Sequence, residues 1–291
     1  MSTNKEKYHH FCKAQTVALY QNDWWLDAVC GENWNAILAG DSAFAFPFKK
    51  KYGLRLIQMP MLTLGLGVVG KADLSVFLNK LPSYDLFDLY FLPGQSGEGS
   101  KGFKEATRLT HRLADISSPE QVFKNFSSST RQQVRKAEKK IKVGESKSPE
   151  LLYKMVAHTF KRQGKKTPYS LVYVKSIYEG CAKNKCCKIL EAKDEEGNTH
   201  GACLLAWDKQ TAYYVLGGSD PKYKSSAAYS LLMWEAIKEA SKHSKEFDFC
   251  GSSIASIAKF FKGFGGEPIP YLHLKKVNSK ALKLVLAIKG K

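Results

Sequence analysis

The stretch KFFKGFGGEPIPYLHL, from Lys259 to Leu274, combines features of a binding site with those of a tight turn. Lys262 stands among aromatic residues and glycines, directly before a predicted strand. A lysine is costly to desolvate unless a negative charge meets it, whereas glycines let backbone or ligand approach closely. The pattern therefore predicts either a site for an anion or a buttressed turn.

The chain around this stretch is long enough for two domains and carries a large positive charge. Its 291 residues are 44% hydrophobic and 12% aromatic, which is ample apolar material to offset the chain entropy lost on folding. Lysine and arginine number 45 against 27 acids, giving a formal charge of +18. Such a field attracts anionic (phosphorylated) substrates, nucleic acid or anionic lipid, although a solvated helix face explains the charge equally well.

Cysteine and histidine usage indicates the compartment and excludes several site types. The seven cysteines are odd in number and include no C-x-x-C pair, which suits a reducing compartment. No apolar run approaches the roughly 18 residues that span a bilayer. We expect a cytoplasmic protein without a transmembrane segment, and the pattern leaves the oligomeric state open. Metal-ligand spacings, a G-x-S-x-G elbow and a phosphate-binding P-loop are absent, so we predict no metal site.

The order of predicted elements indicates a mixed α+β fold built from two similar units. We expect a first unit at 1–118, a basic connecting helix at 119–145, a second unit with the candidate site at 146–276, and a basic tail at 277–291 that packs back on the first unit. In the second unit two helices precede a hairpin, a third strand, a long helix, a short strand and a further helix. The two units share an order of elements, but their residues show no repeat.

The last elements carry a family resemblance. A strand with YYVLGGSD, a long helix, a strand with FDFCGS and then FFKGFGG resemble the Fem family of peptidoglycan-bridge aminoacyltransferases and the Fem-like acyltransferases of the GNAT superfamily. The likeness extends to RQQVRKAEKK, WLDAV and IQMPMLTLG and is most specific at FFKGFGG. It implies two tandem GNAT-like (acyl-CoA N-acyltransferase-like) folds and amide formation. The implied co-substrate is an aminoacyl-tRNA or an acyl-CoA, and no tightly bound cofactor is implied.

The resemblance assigns a catalytic role to Lys262. It implies that the ammonium group pairs with phosphate or with negative charge that develops during transfer, while Phe261 stacks or packs beside it. A lysine that snorkels over an aromatic turn is the alternative.

The resemblance also implies substrate contacts along a strand of the second unit. Tyr214 and Ser219 match a family tyrosine and serine at a cleft wall. Strand alternation puts Tyr213 and Tyr214 on opposite faces, and Tyr214 is favoured as the one that faces the cleft. A core tyrosine is the alternative.

Three arginines are candidates for binding phosphate. Arg162 resembles a family arginine used for a phosphorylated acceptor, and Tyr169 is expected to accompany it. Arg131 and Arg135 lie about one helical turn apart and can address one anion together. A solvated helix face is the alternative for all three.

The loop YKSSAAYSLL departs from the usual GNAT pattern. Ser226 replaces the first glycine of [QR]-x-x-G-x-[GA] and Tyr223 replaces its polar lead residue, although Lys224 can still hold phosphate. We therefore expect weak binding of plain acetyl-CoA. This favours aminoacyl-tRNA as donor, whereas the absence of a coiled-coil arm counts against it. An acyl-CoA donor thus stays open, and so does a link to the bacterial cell wall.

Two other functions fit parts of the pattern. A noncatalytic basic nucleic-acid-binding protein would explain the charge, although no recognised RNA or DNA motif accompanies it. The tail, with lysines around LVLAI, could make weak peripheral contact with a membrane, and this could coexist with catalysis.

Overall fold

A computed structural model describes residues 4–251 and 254–288 and divides the chain into two compact units. The first unit comprises the chain up to Arg108 together with the segment from Pro270 onward, and the second comprises Leu109–Ile269.

Helices and strands alternate along the chain, in agreement with the predicted mixed α+β class. The helices are α1 (Asn4–Ala14), α2 (Asp23–Cys30), α3 (Leu74–Leu78), α4 (Pro119–Asn125), α5 (Ser128–Glu138), α6 (Pro149–Arg162), α7 (Leu171–Lys183), α8 (Ala228–Ala240), α9 (Ala255–Gly263) and α10 (Lys280–Ile288). The strands are β1 (Trp34–Ala39), β2 (Ser42–Pro47), β3 (Lys49–Lys51), β4 (Leu54–Gln58), β5 (Val68–Val69), β6 (Leu86–Tyr90), β7 (Lys104–Leu113), β8 (Ile141–Ser146), β9 (Cys187–Asp194), β10 (Thr199–Trp207), β11 (Thr211–Ser219), β12 (Glu246–Asp248) and β13 (Glu267–Val277).

The first unit is built on strands whose aromatic side chains form its core. Strands β1, β2 and β5 pair antiparallel. Strand β4 pairs antiparallel with β3 and parallel with β6, and β6 pairs antiparallel with His273–Val277 of β13. Phe44, Phe77 and Phe91 are fully buried in this core. Helix α1 begins the unit and buries Tyr8 and Cys12, which are one helical turn apart.

The second unit is a sheet covered on both faces. The strands run in the order β7, β12, β11, β10, β9 and β8, and the hairpin of β9 and β10 turns where EEGN predicts it. Cys203 and Leu205 of β10 face a core shared with α5 and α8, whereas Gly218 of β11 packs against the backbone of α6. Strand β8 falls in a stretch where no strand was predicted.

The bounds of the units differ from the predicted ones. The predicted basic connecting helix at 119–145 is divided into α4, α5 and most of β8. These elements belong to the second unit, and Val134 and Ala137 of α5 are buried in that unit's core. The chain enters the first unit again at Pro270, before the predicted tail, because β13 pairs with β6. Nε2 of His273 lies 2.7 Å from Oδ1 of Asp88 in this pairing. Long-range strand pairing of this kind leaves no local sequence signal.

The C-terminal helix α10 displays its apolar residues. Leu284, Val285 and Ile288 are exposed, and the last three residues of the predicted tail lie outside the described part of the chain. The predicted contact of this tail with a membrane surface stays a prediction. Within residues 4–251 and 254–288, no helix is long and apolar enough to cross a membrane.

Candidate active site

Strand β11 has a paired half and an unpaired half on its β12 side. Thr211–Tyr213 pair in parallel with Glu246–Asp248, and β12 then ends while β11 continues to Ser219. We call residues 214–219 the splayed end of β11. Because the pairing with β12 ends at Tyr213, backbone groups of the splayed end on that side are not used in this ladder, while its side chains project to the two faces of the sheet.

A β-bulge sets which side chains of the splayed end share a face. Leu204 of β10 pairs with Leu216, whereas Leu205 pairs with Tyr214, so Val215 is skipped. The extra residue reverses the alternation and brings Tyr214 and Gly217 to the same face. Tyr213, on the other face, is only 2% exposed, whereas Tyr214 is half-buried.

Tyr214 meets a second tyrosine that the sequence analysis missed. Its hydroxyl is hydrogen-bonded to the hydroxyl of Tyr229, in the first turn of α8. Gly217 makes room for the pair, because a side chain at this position would overlap both hydroxyls. Burial raises the pKa of both tyrosines, so they are neutral phenols at physiological pH. Tyr229 lies within the YKSSAAYSLL stretch. Its position in that stretch is the only sequence signal that could have identified it.

The end of β11 is anchored to helix α6. The backbone N–H of Ser219 donates to Oγ1 of Thr159 at 3.1 Å. Gly218 lies so close to Met155 and Val156 that a side chain there would overlap the helix backbone. Ser219 is therefore held at the rim of the splayed end, and its role in binding substrate stays a prediction.

Lys262 is exposed at the last turn of α9, and no ion pair with it occurs in the described part of the chain. Its neighbour Phe261 is 4% exposed and stacks on Phe249, with ring centroids 4.7 Å apart. Of the two roles predicted for Phe261, this geometry corresponds to packing. The predicted pairing of Lys262 with an anion stays a prediction.

The glycines after Lys262 have packing reasons. A side chain at Gly263 would overlap Oγ1 of Thr130 in α5, and one at Gly266 would come within 2.9 Å of the Phe249 ring. Gly265 has a φ of +81°, which side chains rarely adopt. The carbonyl oxygen of Gly263 accepts from the backbone N–H of Ser127 at 2.9 Å, which joins the end of α9 to the start of α5.

A buried histidine lies beside Lys262. His111 on β7 is 3% exposed, and its ring centroid is 5.9 Å from that of Phe261. Its Nδ1 is buried without a hydrogen-bond partner among the described residues. Burial and then the ammonium charge of Lys262 lower the pKa of His111, while Asp248 and Glu267 act in the opposite direction. His111 is therefore neutral near pH 7, and no sequence motif marks it.

A closed ion network lies where β11 and β12 are still paired. The Asp248 carboxylate, fully buried, accepts from Nε and Nη2 of Arg112 at 3.1 and 3.0 Å and from the backbone N–H of Cys250 at 2.7 Å. Thr110 donates to the same carboxylate, and Nη1 of Arg112 donates to Glu246 at 2.7 Å. The single guanidinium of Arg112 thus joins two carboxylates, and this network holds the strands together at the point where their pairing ends.

The two arginines of α5 lie close to the end of α4. Nη1 of Arg131 donates to the carbonyl oxygens of Lys124 and Phe126, and the guanidinium of Arg135 lies 5.9 Å from the ring centroid of Phe123. Both arginines thus have local contacts, and a shared anion site stays a prediction. The next residue, Lys136, reaches the altered loop, where Nζ donates to the carbonyl oxygen of Ser225 at 3.2 Å.

The remaining predicted residues differ in exposure. Arg162 ends α6 and is exposed, and Lys224 is exposed in the 3₁₀ turn Pro221–Ser226. Tyr169 is 8% exposed and packs edge-on against Phe160, so it is a core residue in this structure. Its predicted contact with an acceptor is untested.

Metal-ligand groups and pockets are two further features that could form a site. The described residues contain no group of three or more His, Cys, Asp or Glu side chains suited to a metal ion. A pocket of about 430 Å³ lies in the first unit, beside Gly67, Lys71 and Gln95, and contains none of the predicted site residues.

Comparisons with known proteins concern the fold. Residues 124–262 match the family model of the acetyltransferase (GNAT) domain. The crystal structure of FemX has a TM-score of 0.72 at 16% identity, covering 98% of this chain and 99% of that chain. L-PGS from Bacillus licheniformis has a TM-score of 0.59 at 11% identity, covering 99% and 97%. A tandem GNAT protein from the clavulanic acid biosynthesis pathway has a TM-score of 0.52 at 9% identity, covering 84% and 83%.

A comparison with curated proteins finds no match. The predicted resemblance and the predicted fold class are nevertheless confirmed: the chain has the GNAT fold, it shares the fold of FemX over 98% of its length, and it shares the fold of a tandem GNAT protein over 84%.

Proposed function

We propose that this tandem GNAT-fold chain is an N-acyltransferase that joins an acyl or aminoacyl group from an activated donor to an amine, forming an amide. The observation that carries the proposal is the exposed Lys262, which follows Phe261, whose ring centroid lies 6.4 Å from that of Tyr214, inside the segment that matches the GNAT domain. A lysine in an ion pair would have a structural role. Lys262 has no ion pair among the described residues, so its charge can interact with a ligand.

The chemistry requires stabilisation of the oxyanion that develops when an amine attacks an acyl carbonyl. The ammonium group of Lys262 supplies a positive charge for this purpose. The paired phenols of Tyr214 and Tyr229 supply a hydrogen-bond donor, because two hydroxyls that share one hydrogen bond leave one proton for a third partner. Neutral His111 adds no competing charge to the site.

The donor is proposed from the charge and from the altered loop. An aminoacyl-tRNA is favoured, because the net charge of +18 suits a polyanion and the loop lacks the glycine of the usual CoA-binding pattern. Lys224, Arg131, Arg135 and Arg162 are the proposed phosphate contacts. An acyl-CoA is the alternative donor, and the acceptor amine is proposed only as a phosphorylated or otherwise anionic molecule.

The test compares both donor classes with the same protein. Mixed aminoacyl-tRNAs or a panel of acyl-CoAs are incubated with a panel of amines, and liquid chromatography with mass spectrometry detects amide products and free CoA. We expect amine-dependent consumption of one donor class, and much slower consumption by Lys262→Ala. Lys259→Ala, an exposed lysine about one turn earlier on α9, is the matched control and retains activity.

Two outcomes would redirect the proposal. Plain acetyl-CoA is expected to bind weakly in calorimetry, and a dissociation constant in the low micromolar range would make acyl-CoA the leading donor. Consumption of neither donor, together with RNA binding that weakens steeply with salt, would favour the noncatalytic nucleic-acid-binding protein.

A further inference from the structure

Two exposed segments of the first unit, far apart in the chain, meet at one end of its sheet. Strands β4 and β6 run parallel with Leu56 beside Leu86, and β13 ends where β6 begins, with Val277 beside Leu86. The turn between β3 and β4 therefore lies at the same end of the sheet as the start of α10. The proposed transfer chemistry uses neither segment.

Asp85, directly before β6, is bonded to both segments. Its carboxylate accepts from the backbone N–H of Arg55 at 2.8 Å and from Nε of Arg55 at 3.2 Å. Its carbonyl oxygen accepts from the backbone N–H of Asn278 at 2.9 Å, just before α10. The hydrogen bonds from Arg55 lower the pKa of Asp85, so the carboxylate is ionised and pairs with that guanidinium. This acid therefore does not offset the charge of the lysines nearby.

The tip of the hairpin of β3 and β4 combines lysines with an exposed aromatic ring. Lys50 and Lys51 are exposed, and Tyr52 is 91% exposed. Tyr52 and Gly53 have φ values of +52° and +75°, which suit a two-residue turn that favours asparagine followed by glycine. The turn itself thus gives no reason for a tyrosine. The amphipathic ring of tyrosine does suit the boundary between water and lipid.

Helix α10 presents lysines and apolar side chains on one exposed face. Lys280, Leu284 and Ile288 follow one another at four-residue spacing and are all exposed, Ile288 to 78%. Lys283 and Val285 are exposed as well, and the helix contains no acidic residue. A helix of this composition suits a bilayer surface, because its aliphatic side chains can enter the lipid while its ammonium groups stay among the headgroups.

We call residues 49–53 and 280–288 the basic edge of the first unit, and its charge and apolar surface together indicate what it binds. Its lysines form no ion pair among the described residues: Lys49, Lys50, Lys51, Lys280 and Lys283. Such lysines are attracted to anionic lipid or to nucleic acid. Aliphatic side chains have no partner on a phosphate backbone, whereas lipid removes them from water. The exposed aliphatic residues of α10 therefore favour lipid.

We propose that the basic edge docks on the surface of an anionic lipid bilayer. The lysines lie against lipid phosphates, and the ring of Tyr52 and the aliphatic side chains of α10 enter the headgroup layer. Docking is reversible, because the segments are short and the buried apolar area is small. This binding is separate from the proposed transfer reaction and does not depend on it.

The test is sedimentation of the purified protein with lipid vesicles at low ionic strength. One set of vesicles contains phosphatidylcholine alone, and the other contains equal parts of phosphatidylcholine and phosphatidylglycerol. We expect binding to the anionic set that weakens as salt is added, and little binding to the neutral set. Equal binding to both sets, or binding to neither, overturns the proposal.

Substitutions in each segment locate the docking surface. Lys50→Gln combined with Lys51→Gln, and separately Leu284→Gln combined with Ile288→Gln, should each lower the affinity for anionic vesicles on the order of 10-fold. Tyr52→Asn should lower it to a smaller extent, and because asparagine suits the turn, this variant stays folded. Thermal unfolding confirms that each variant is folded. Unchanged affinity in both double variants overturns the proposal.

The matched control is Lys139→Gln combined with Lys140→Gln, which removes the same charge from exposed positions of the second unit. We expect nearly unchanged affinity, and a loss equal to that of the Lys50 and Lys51 variant would assign binding to net charge and overturn the proposal.

Two other occupants of the basic edge would be recognised by the same variants. RNA binding that the Lys50 and Lys51 variant weakens, without vesicle binding, would assign the edge to nucleic acid. Self-association that the Leu284 and Ile288 variant abolishes, without vesicle binding, would assign it to a second copy of this chain. Either result overturns the proposal. The vesicles contain neither donor nor acceptor amine, so the outcome is independent of the transfer assay.

Discussion

The two halves of strand β11 differ in whether the polar side chains near them form ion pairs with one another. Along Thr211–Tyr213, which pair with β12, Arg112, Glu246 and Asp248 satisfy one another, and Asp248 is fully buried. Along the splayed end, a half-buried pair of phenols lies over a glycine, and Lys262 nearby is exposed.

Under the proposed function, this contrast separates stability from chemistry along the nine residues of one strand. Polar groups that pair with one another hold the strands where their pairing ends, and we propose that the phenols and Lys262 are left to interact with a ligand. A site needs side chains in fixed positions, which a rigid neighbouring frame supplies.

We expect the largest effect on stability when the ion network beside the paired half of β11 is disrupted. Asp248→Ala leaves Arg112 without its buried partner, and we expect a loss of about 3–5 kcal/mol in the free energy of unfolding. Urea denaturation measures it. Glu235→Ala removes the partly exposed ion pair of Lys238 with Glu235, 2.7 Å long, and should cost no more than about 0.5 kcal/mol. Similar losses for both variants would contradict a structural role for the paired half.

The splayed half is tested through Lys262. Lys262→Ala should reduce turnover on the order of 100-fold, because one electrostatic donor to the developing oxyanion is removed. Urea midpoints should hardly change, since the side chain is exposed. Lys262→Arg should restore activity only in part, because a planar guanidinium differs in shape from an ammonium group. A well-folded Lys262→Ala protein with normal turnover would show that chemistry does not reside here.

Gly217 and Gly218 are neighbours in the splayed end, and substitutions there test the same comparison with smaller expected effects. Gly218→Ala forces a methyl group against the α6 backbone at Met155 and Val156, and overpacking of this kind costs roughly 1–3 kcal/mol. Gly217→Ala meets only the hydroxyl ends of Tyr214 and Tyr229, which can move. We therefore expect a smaller loss of stability there, with lower turnover.

Gly144→Ala in β8 is the control for both glycine variants, since an added methyl group there meets nothing within 4 Å and the backbone is unstrained. Thermal unfolding and turnover of the three variants are measured together. Equal destabilisation by Gly217→Ala and Gly218→Ala would refute the assignment of the two glycines to different functions.

We expect the smallest effect from the electrostatic interaction between Lys262 and His111. Its pKa is lowered by burial and by Lys262, so the unfolded chain binds this proton more readily, and stability should fall as the pH drops below the ordinary histidine value of about 6.5. Lys262→Met should raise the pKa of His111 and weaken that dependence. Lys259→Met should change neither.

NMR titration of the imidazole signals measures the pKa, and His111→Gln assigns the signal among the seven histidines. A pKa of His111 that is the same in wild type and Lys262→Met would show that the two side chains do not interact.

Local patterns predicted most elements of the second unit, whereas the exposure of Lys262 was seen only in the structure. The hairpin around EEGN, the start of α4 at Pro119 and the end of α9 near Gly263 all follow from turn and helix-end chemistry. Helix α1 and strand β8 were missed, because polar segments with few apolar residues give weak periodic signals. The predicted roles of Arg162, Tyr169, Arg131 and Arg135 remain predictions.

The amino-acid sequence by itself determined the charge, the two-unit α+β character and the aromatic and glycine setting of Lys262, since these depend on residue type and near neighbours. Only the tertiary structure decided that Val215 forms a bulge that aligns Tyr214 with Gly217, that His111 lies beside Lys262, and that Asp85 bonds to both Arg55 and Asn278. The physical reason is strand register. A shift of one residue turns every following side chain to the opposite face, and register is set by packing between segments far apart in the chain.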